Sequence, residues 1–160
     1  MSVPSATLRI VGTGPMLDTL KTLVDSLGVR GTVHFVGSLQ DEPLSNEYFA
    51  ASCLVLPSTS EPWGLVVNEA LSHGCPAVVS DQCGCVPELV VRGETGYAFE
   101  AGNIAALRDT LLMAMERFAD TRATAKWCLE RIARFDPRSA AANIARGCAT
   151  MLVDKSGDQP

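Results

Sequence analysis

The chain has 160 residues, with 13 cationic against 18 acidic side chains for a formal charge of −5, and 47% hydrophobic against 19% charged residues. That balance is globular rather than disordered. A chain of this length buries about 70% of its unfolded surface as one ordinary domain, and two domains are not expected. The acidic excess argues against a nucleic-acid binder. No apolar run reaches the roughly 18–20 residues that span a bilayer, and Met1–Ile10 lacks the charged region and apolar stretch of a secretory signal.

Short apolar runs alternate with amphipathic stretches. Leu8–Val11 reads as a strand ended by Gly12-Thr13-Gly14-Pro15, and Pro15 suits the first turn of a helix. Leu17, Leu20, Leu23, Val24 and Leu27 recur on one helical face, which Gly28 closes. Val33–Val36 reads as a second strand ended by Gly37, Leu44–Ala51 as a short helix, and Cys53–Leu56 as a third strand stopped by Pro57. A helix is expected from about Leu65 to His73, then a strand at Pro76–Ser80, a short helix opened by Pro87 and Glu88, and a strand at Gly96–Phe99. Three Ala-rich helices follow, at Asn103–Phe118, Thr121–Arg134 and Pro137–Leu152, before a polar, frayed tail. The alternation predicts an α/β chain: a Rossmann-like, doubly wound parallel sheet with C-terminal helices, one domain over 1–152 and a tail over 153–160. Ligands of such sheets bind beyond the carboxyl ends of the strands. That rule nominates the loops Gly12–Pro15, Gly37–Leu39, Pro57–Gly64 and Ser80–Pro87.

Charge and cysteine narrow the chemistry. From Gly31 to Val91 there is no Lys or Arg, while seven acids lie there, so an anionic ligand in this stretch needs backbone N–H groups or a cation from another segment. The six cysteines, at 53, 75, 83, 85, 128 and 148, form no CxxC and meet no paired histidine, so a zinc site is poorly supported. Cys83-Gly84-Cys85 is the one close pair; small buried thiols of a reduced protein explain the set better than a metal or redox pair. His34 reads as a structural strand residue, His73 as a helix-terminal residue favoured by the dipole, and Trp127 as packing.

Gly12-Thr13-Gly14 after a strand looks at first like a dinucleotide fingerprint, but Leu17 occupies the third glycine position and no acid ends the second strand. Gly12 and Gly14 serve either a tight turn or the backbone approach of some other nucleotide. The stretch Ser58–Glu69 is more specific. Gly64 stands at the start of the expected helix, where the first N–H groups lack internal partners and the dipole favours an anion. A diphosphate fits over Gly64, Leu65 and Val66, between Glu61 and Glu69, whose carboxylates suit sugar hydroxyls.

The pattern Glu61-x7-Glu69, preceded by Pro57-Ser58 and followed by Ala70-x3-Gly74-x-Pro76-x-Val78, resembles the donor-binding, C-terminal half of retaining glycosyltransferases of the GT-B fold, in the large family 4 group. Val11-Gly12-x-Gly14-Pro15, Val33-x-Phe35-x-Gly37, Val86-Pro-Glu-Leu-Val90 and Gly93-x-x-Gly96 are similar to that family in its order, from about Leu8 to Leu112. The resemblance implies one half of a GT-B fold and binding of a UDP-, GDP- or ADP-sugar, with no metal and no cofactor. It implies that Glu61 faces the donor sugar as the catalytic carboxylate, that Glu69 binds ribose hydroxyls, and that amides from Trp63 or Gly64 through Val66 hold the distal phosphate. Gly37, Ser38 and Leu39 would line the base pocket, and Gly12 and Gly14 are taken as further donor-binding residues. Trp63 stands where Phe is more usual, Asn68 where an apolar residue is common, and Cys where a second Gly is frequent. An acceptor domain, and a strand and helix carrying an Arg and Lys, belong to the family pattern and are not in this chain; they imply a longer enzyme or a partner chain. The fragment alone is expected to turn over little and to self-associate through an exposed face of the last helix. The resemblance also implies a cytoplasmic enzyme, with peripheral membrane association left open. Two alternatives stand: a non-catalytic GT-B module that binds a protein partner, and half of a sugar-nucleotide epimerase or phosphorylase. A phosphorylase would need a pyridoxal lysine, and Lys126 and Lys155 lie in the wrong region.

Overall fold

A computed structural model describes residues 6–154 of the chain; of the polar tail expected over 153–160, residues 153 and 154 belong to the last helix and 155–160 lie outside the described residues. The chain divides into two compact units, Met1–Glu47 and Tyr48–Pro160. Among the described residues each unit holds its own parallel ladder, of two strands in the first and three in the second.

The first unit contains β1 (Leu8–Val11), α1 (Leu17–Ser26), β2 (Val33–Gly37) and the start of α2 (Asp41–Ala50). β1 and β2 pair from Leu8↔Val33 to Ile10↔Phe35, and the register then shifts so that Val11 meets Gly37. α1 carries the apolar face read from its spacing and ends at a left-handed Gly28, whose N–H donates to the Asp25 carbonyl at 3.1 Å. Arg9 forms a two-pronged ion pair with Glu47, at 2.5 and 2.6 Å, which raises the guanidinium pKa and lowers that of the carboxylate. α2 begins three residues before the expected Leu44. A proline's fixed φ suits a helix's first turn, so Pro43 is accommodated there, and Asp41 and Glu42 suit the positive end of the dipole.

The second unit follows with β3 (Leu54–Leu56), α3 (Leu65–Ser72), β4 (Ala77–Ser80), α4 (Val86–Leu89), β5 (Gly96–Phe99), α5 (Ile104–Arg117), α6 (Thr121–Ile132) and α7 (Pro137–Asp154). β3 and β4 each begin one residue later than expected, and a 3-10 turn over Ala133–Phe135 takes the end of the predicted sixth helix. Central β4 is buried along its whole length, as a parallel strand covered on both faces must be. Ala77 and Val79 face a core of Val67 and Leu71 from α3, Leu89 from α4 and Cys128 from α6. Val78 faces the other way, against Tyr97, Phe99, Ala114 and Phe118. Each fully buried Val or Leu here stabilises the unit by about 1.5–3 kcal/mol relative to exposure. Asn103 caps α5 by accepting from the Ala106 amide at 2.9 Å, and Asp120 caps α6 through the amides of Arg122 and Ala123. In α7 every described side chain from Ala141 to Ala149 is exposed, Ile144 by 68%.

Candidate functional site

The start of α3 is built by the loop that leaves β3. Leu56 delivers the chain to Pro57, and the segment Glu61–Trp63 then runs beside the loop that leaves β4. The Glu61 N–H donates to the Gln82 carbonyl at 3.2 Å, the Gly84 N–H to the Glu61 carbonyl at 3.0 Å, and the Cys85 N–H to the Trp63 carbonyl at 2.9 Å. The parallel pairing of β3 with β4 thus continues past the strand ends and fixes the backbone that carries Glu61. Gly84 is what allows it: a Cβ there would stand 2.0 Å from the Pro62 carbonyl oxygen.

Gly64 caps the helix with φ +98°, and a Cβ there would meet Leu56 at 3.1 Å and the Cys85 thiol at 3.3 Å. The Val67 N–H turns back to the Gly64 carbonyl at 2.9 Å. The N–H groups of Leu65 and Val66 have no carbonyl of their own helix behind them, and among the described residues they find no other partner. Leu65 is 69% exposed, so these two donors stand at the surface with the positive end of the dipole behind them.

The two carboxylates flank this helix start. Glu61 is half-buried, and its Oε1 accepts from the Trp63 N–H at 3.4 Å. Glu69 lies a turn further along, exposed, and its Oε2 accepts from the Tyr48 hydroxyl at 2.9 Å. Burial, and then the Glu69 carboxylate, push the Tyr48 hydroxyl pKa upward. Among the described residues no cationic side chain pairs with Glu61 or Glu69. Three arginines of this unit are engaged elsewhere: Arg131 with the Glu88 carbonyl, Arg117 over the Trp127 ring at 4.6 Å, and Arg92 over the Tyr97 ring at 5.2 Å.

Trp63 and Asn68 are joined. The indole N–H donates to the Asn68 Oδ1 at 2.8 Å. With Gly64 as the cap, Trp63 stands just before it and Asn68 is the fourth helical residue, the two positions that an apolar staple commonly links. Two departures from the family pattern are one compensated pair: the larger ring brings an N–H, and the polar helix residue satisfies it.

In the first unit the nominated glycines also meet. The Gly12 N–H donates to the Gly37 carbonyl at 2.7 Å, the Thr13 and Ser38 hydroxyls lie 3.4 Å apart, and Gly14 accepts from the Leu17 N–H at 3.1 Å. Leu39 is half-buried two residues after Gly37.

Cys83 and Cys85 are free thiols buried in the core; burial pushes Cys85 up to about 11. Among the described residues no three His, Cys, Asp or Glu side chains stand together as metal ligands, and no helix is long and apolar enough to cross a membrane. His73 closes α3 with Nδ1 2.7 Å from the Glu69 carbonyl, an oxygen that only accepts, so Nδ1 carries the proton. His34 is exposed on β2, and Trp127 is half-buried. Sequence reasoning missed Tyr48 and Gly84 as site residues. Gly84 was visible as the glycine between two cysteines, whereas Tyr48 belongs to no pattern in the chain.

A family model described as glycosyl transferases group 1 matches residues 1–125. The sulfoquinovosyl transferase of Arabidopsis thaliana is 30% identical over 145 residues, 89% of this chain and 28% of that protein. A glycogen synthase of Mycobacterium tuberculosis is 31% identical over 157 residues, 98% of this chain and 37% of that protein. Among solved structures, Anabaena HepE in complex with UDP superposes with a TM-score of 0.75 at 26% identity, covering 92% of this chain and 42% of HepE. The sucrose-phosphate synthase of Thermosynechococcus elongatus gives 0.76 at 28% identity, covering 92% of this chain and 39% of that one. The chain therefore spans only about 28–42% of the length of these relatives. The family model covers most of the chain, the solved structures match nine-tenths of it, and the chain belongs to the glycosyl transferases group 1 family.

Proposed function

We propose that this chain is the donor-binding half of a retaining glycosyltransferase, which holds a nucleoside diphosphate sugar for transfer to an acceptor bound elsewhere. The observation that carries the reading is the start of α3: among the described residues the N–H groups of the exposed Leu65 and Val66 have no partner, a left-handed Gly64 precedes them, and Glu61 before the helix and Glu69 a turn inside it are paired with no cation. A diphosphate is an anion that such a helix end accepts. The flanking carboxylates then suit hydroxyls, Glu61 those of the sugar and Glu69 those of the ribose. HepE, solved with UDP and with UDP-glucose, supports a nucleotide sugar as the ligand class. By the family resemblance Gly37, Ser38 and Leu39 take the base, while Gly12 and Gly14 are donor-binding candidates of the same chain.

In this scheme the helix start stabilises the leaving diphosphate, as preorganised donors do. Glu61, fixed by its pairing with the β4 loop, faces the reacting carbon. The departing diphosphate helps to deprotonate the acceptor, no metal takes part, and the anomeric configuration is retained. The acceptor half is a further domain or a partner chain, and the complete enzyme works in the cytoplasm, at a membrane surface where the acceptor is lipid-linked.

Amide NMR titration of the chain with UDP, GDP and ADP and their glucose or mannose conjugates, up to millimolar, tests the reading. Shifts are expected at Gly37–Leu39 and Trp63–Glu69, with one base preferred. A folded chain whose amides there respond to none of these ligands overturns it.

A further inference from the structure

We propose that Tyr48 is a positioning residue for the donor ribose, acting through Glu69; the inference rests on the reading of Glu69 given above. Glu69 is exposed on α3, and an exposed glutamate samples many rotamers that a ligand must freeze. Tyr48 is only 8% exposed, so its ring cannot follow a wandering carboxylate outward. Its hydroxyl reaches Glu69 Oε2 at 2.9 Å and must be the donor, because an ionised carboxylate only accepts.

The ring is itself held. His73 stacks on it with centroids 5.2 Å apart and planes at 28°, and Phe49 meets the same imidazole edge-on at 4.9 Å. The imidazole is tied in turn to the Glu69 main chain through Nδ1–H. One cluster therefore fixes Glu69 twice, by its carbonyl and by its carboxylate. The second carboxylate oxygen, Oε1, is left to accept a sugar hydroxyl, and the rotamer cost of binding is met before the ligand arrives.

The test uses the full 160-residue chain, the nucleoside diphosphate among UDP, GDP and ADP that binds it best, and the 2′,3′-dideoxy form of that nucleotide. Y48F keeps the buried ring and its stacking and removes only the donor. It should weaken the ribonucleotide about three- to tenfold, the cost of immobilising one rotamer-rich side chain on binding. It should leave the affinity for the dideoxynucleotide unchanged, and add no further loss in an E69A background. Equal weakening of both nucleotides, or no weakening of either, overturns the role of Tyr48 while Glu69 keeps its own if E69A still abolishes the ribose preference. An E69A chain with the preference intact, or a wild-type chain that binds none of the nucleotides, overturns the reading of Glu69 and this inference with it.

Discussion

Replacing Gly84 by alanine attacks the site through its backbone alone. The added Cβ would lie 2.0 Å from the Pro62 carbonyl oxygen, against about 3.3 Å for an ordinary close C···O contact, so the two loops must part by about 1.3 Å. Three hydrogen bonds join them, at 3.2, 3.0 and 2.9 Å. At about 0.5–1.5 kcal/mol net for each, their loss costs about 1.5–4.5 kcal/mol. The reduced freedom of the unfolded chain returns about 0.4–1 kcal/mol. G84A should therefore lose roughly 1–4 kcal/mol in urea unfolding followed by tryptophan fluorescence. G147A is the control: that glycine lies in exposed α7 with nothing within 4 Å of its added Cβ, and the change should gain about 0.8–1 kcal/mol of helix propensity. The same shift moves Glu61, so G84A should weaken a sugar nucleotide more than the bare diphosphate. A G84A chain as stable as the wild type would refute the argument that this contact holds the two loops together.

Other perturbations separate the parts of the site. E69A should weaken a bare nucleoside diphosphate about ten- to a hundredfold in calorimetric titration, since hydrogen bonds to a charged group are worth about 1.5–3 kcal/mol each, whereas E61A should weaken the sugar conjugate more than the diphosphate; equal losses for both ligands contradict the sugar-facing role. W63F and N68L should each destabilise by about 1 kcal/mol, because each leaves one polar partner of the 2.8 Å bond alone, and the double variant should cost less than their sum by about 0.5–1.5 kcal/mol; strict additivity would dissolve the pair. Cys148 is exposed, while burial pushes Cys75 and Cys128 up to about 12 and Cys53 to about 11, so a maleimide at pH 8 should label one thiol quickly and the others only on unfolding. The exposed face of α7 should make the chain bind hydrophobic dye or self-associate, and a clean monomer without dye binding counts against that face as a docking surface.

The fold was legible because its signals are local. Four-residue apolar runs alternating with 3.6-period faces specify parallel strands joined by helices. Val78 and Val79 could be placed in a strand from their flanks alone. The start of α2 was not legible for an equally local reason. Pro43 is compatible both with a loop before a helix and with the helix's first turn, and only the backbone at Asp41 and Glu42 distinguishes the two. The pairing of strands into two ladders is a long-range fact that no residue pattern in the chain encodes.

The site divides along the same line. Glu61, Gly64 and Glu69 lie within nine residues, and a helix start with its cap and flanking acids is a local object, so the sequence could nominate all three. Gly84 and Tyr48 lie outside that window and act by approaching it in space, the first through a carbonyl and the second through a hydroxyl. The case of Trp63 and Asn68 is instructive because both were noticed and neither was understood. As single departures they look like tolerated drift, a larger ring in one place and a stray amide in another. An unpaired indole N–H or carboxamide that is partly buried carries a penalty of about 1–3 kcal/mol, so drift at one position alone would be opposed. Five residues separate them in the chain, and a glycine cap followed by one helical turn brings them to 2.8 Å. The start of α3, with its two unpartnered N–H groups among the described residues, is thus held by a bond whose two halves only make sense together, and a relative with Phe at the first position should carry an apolar residue at the second.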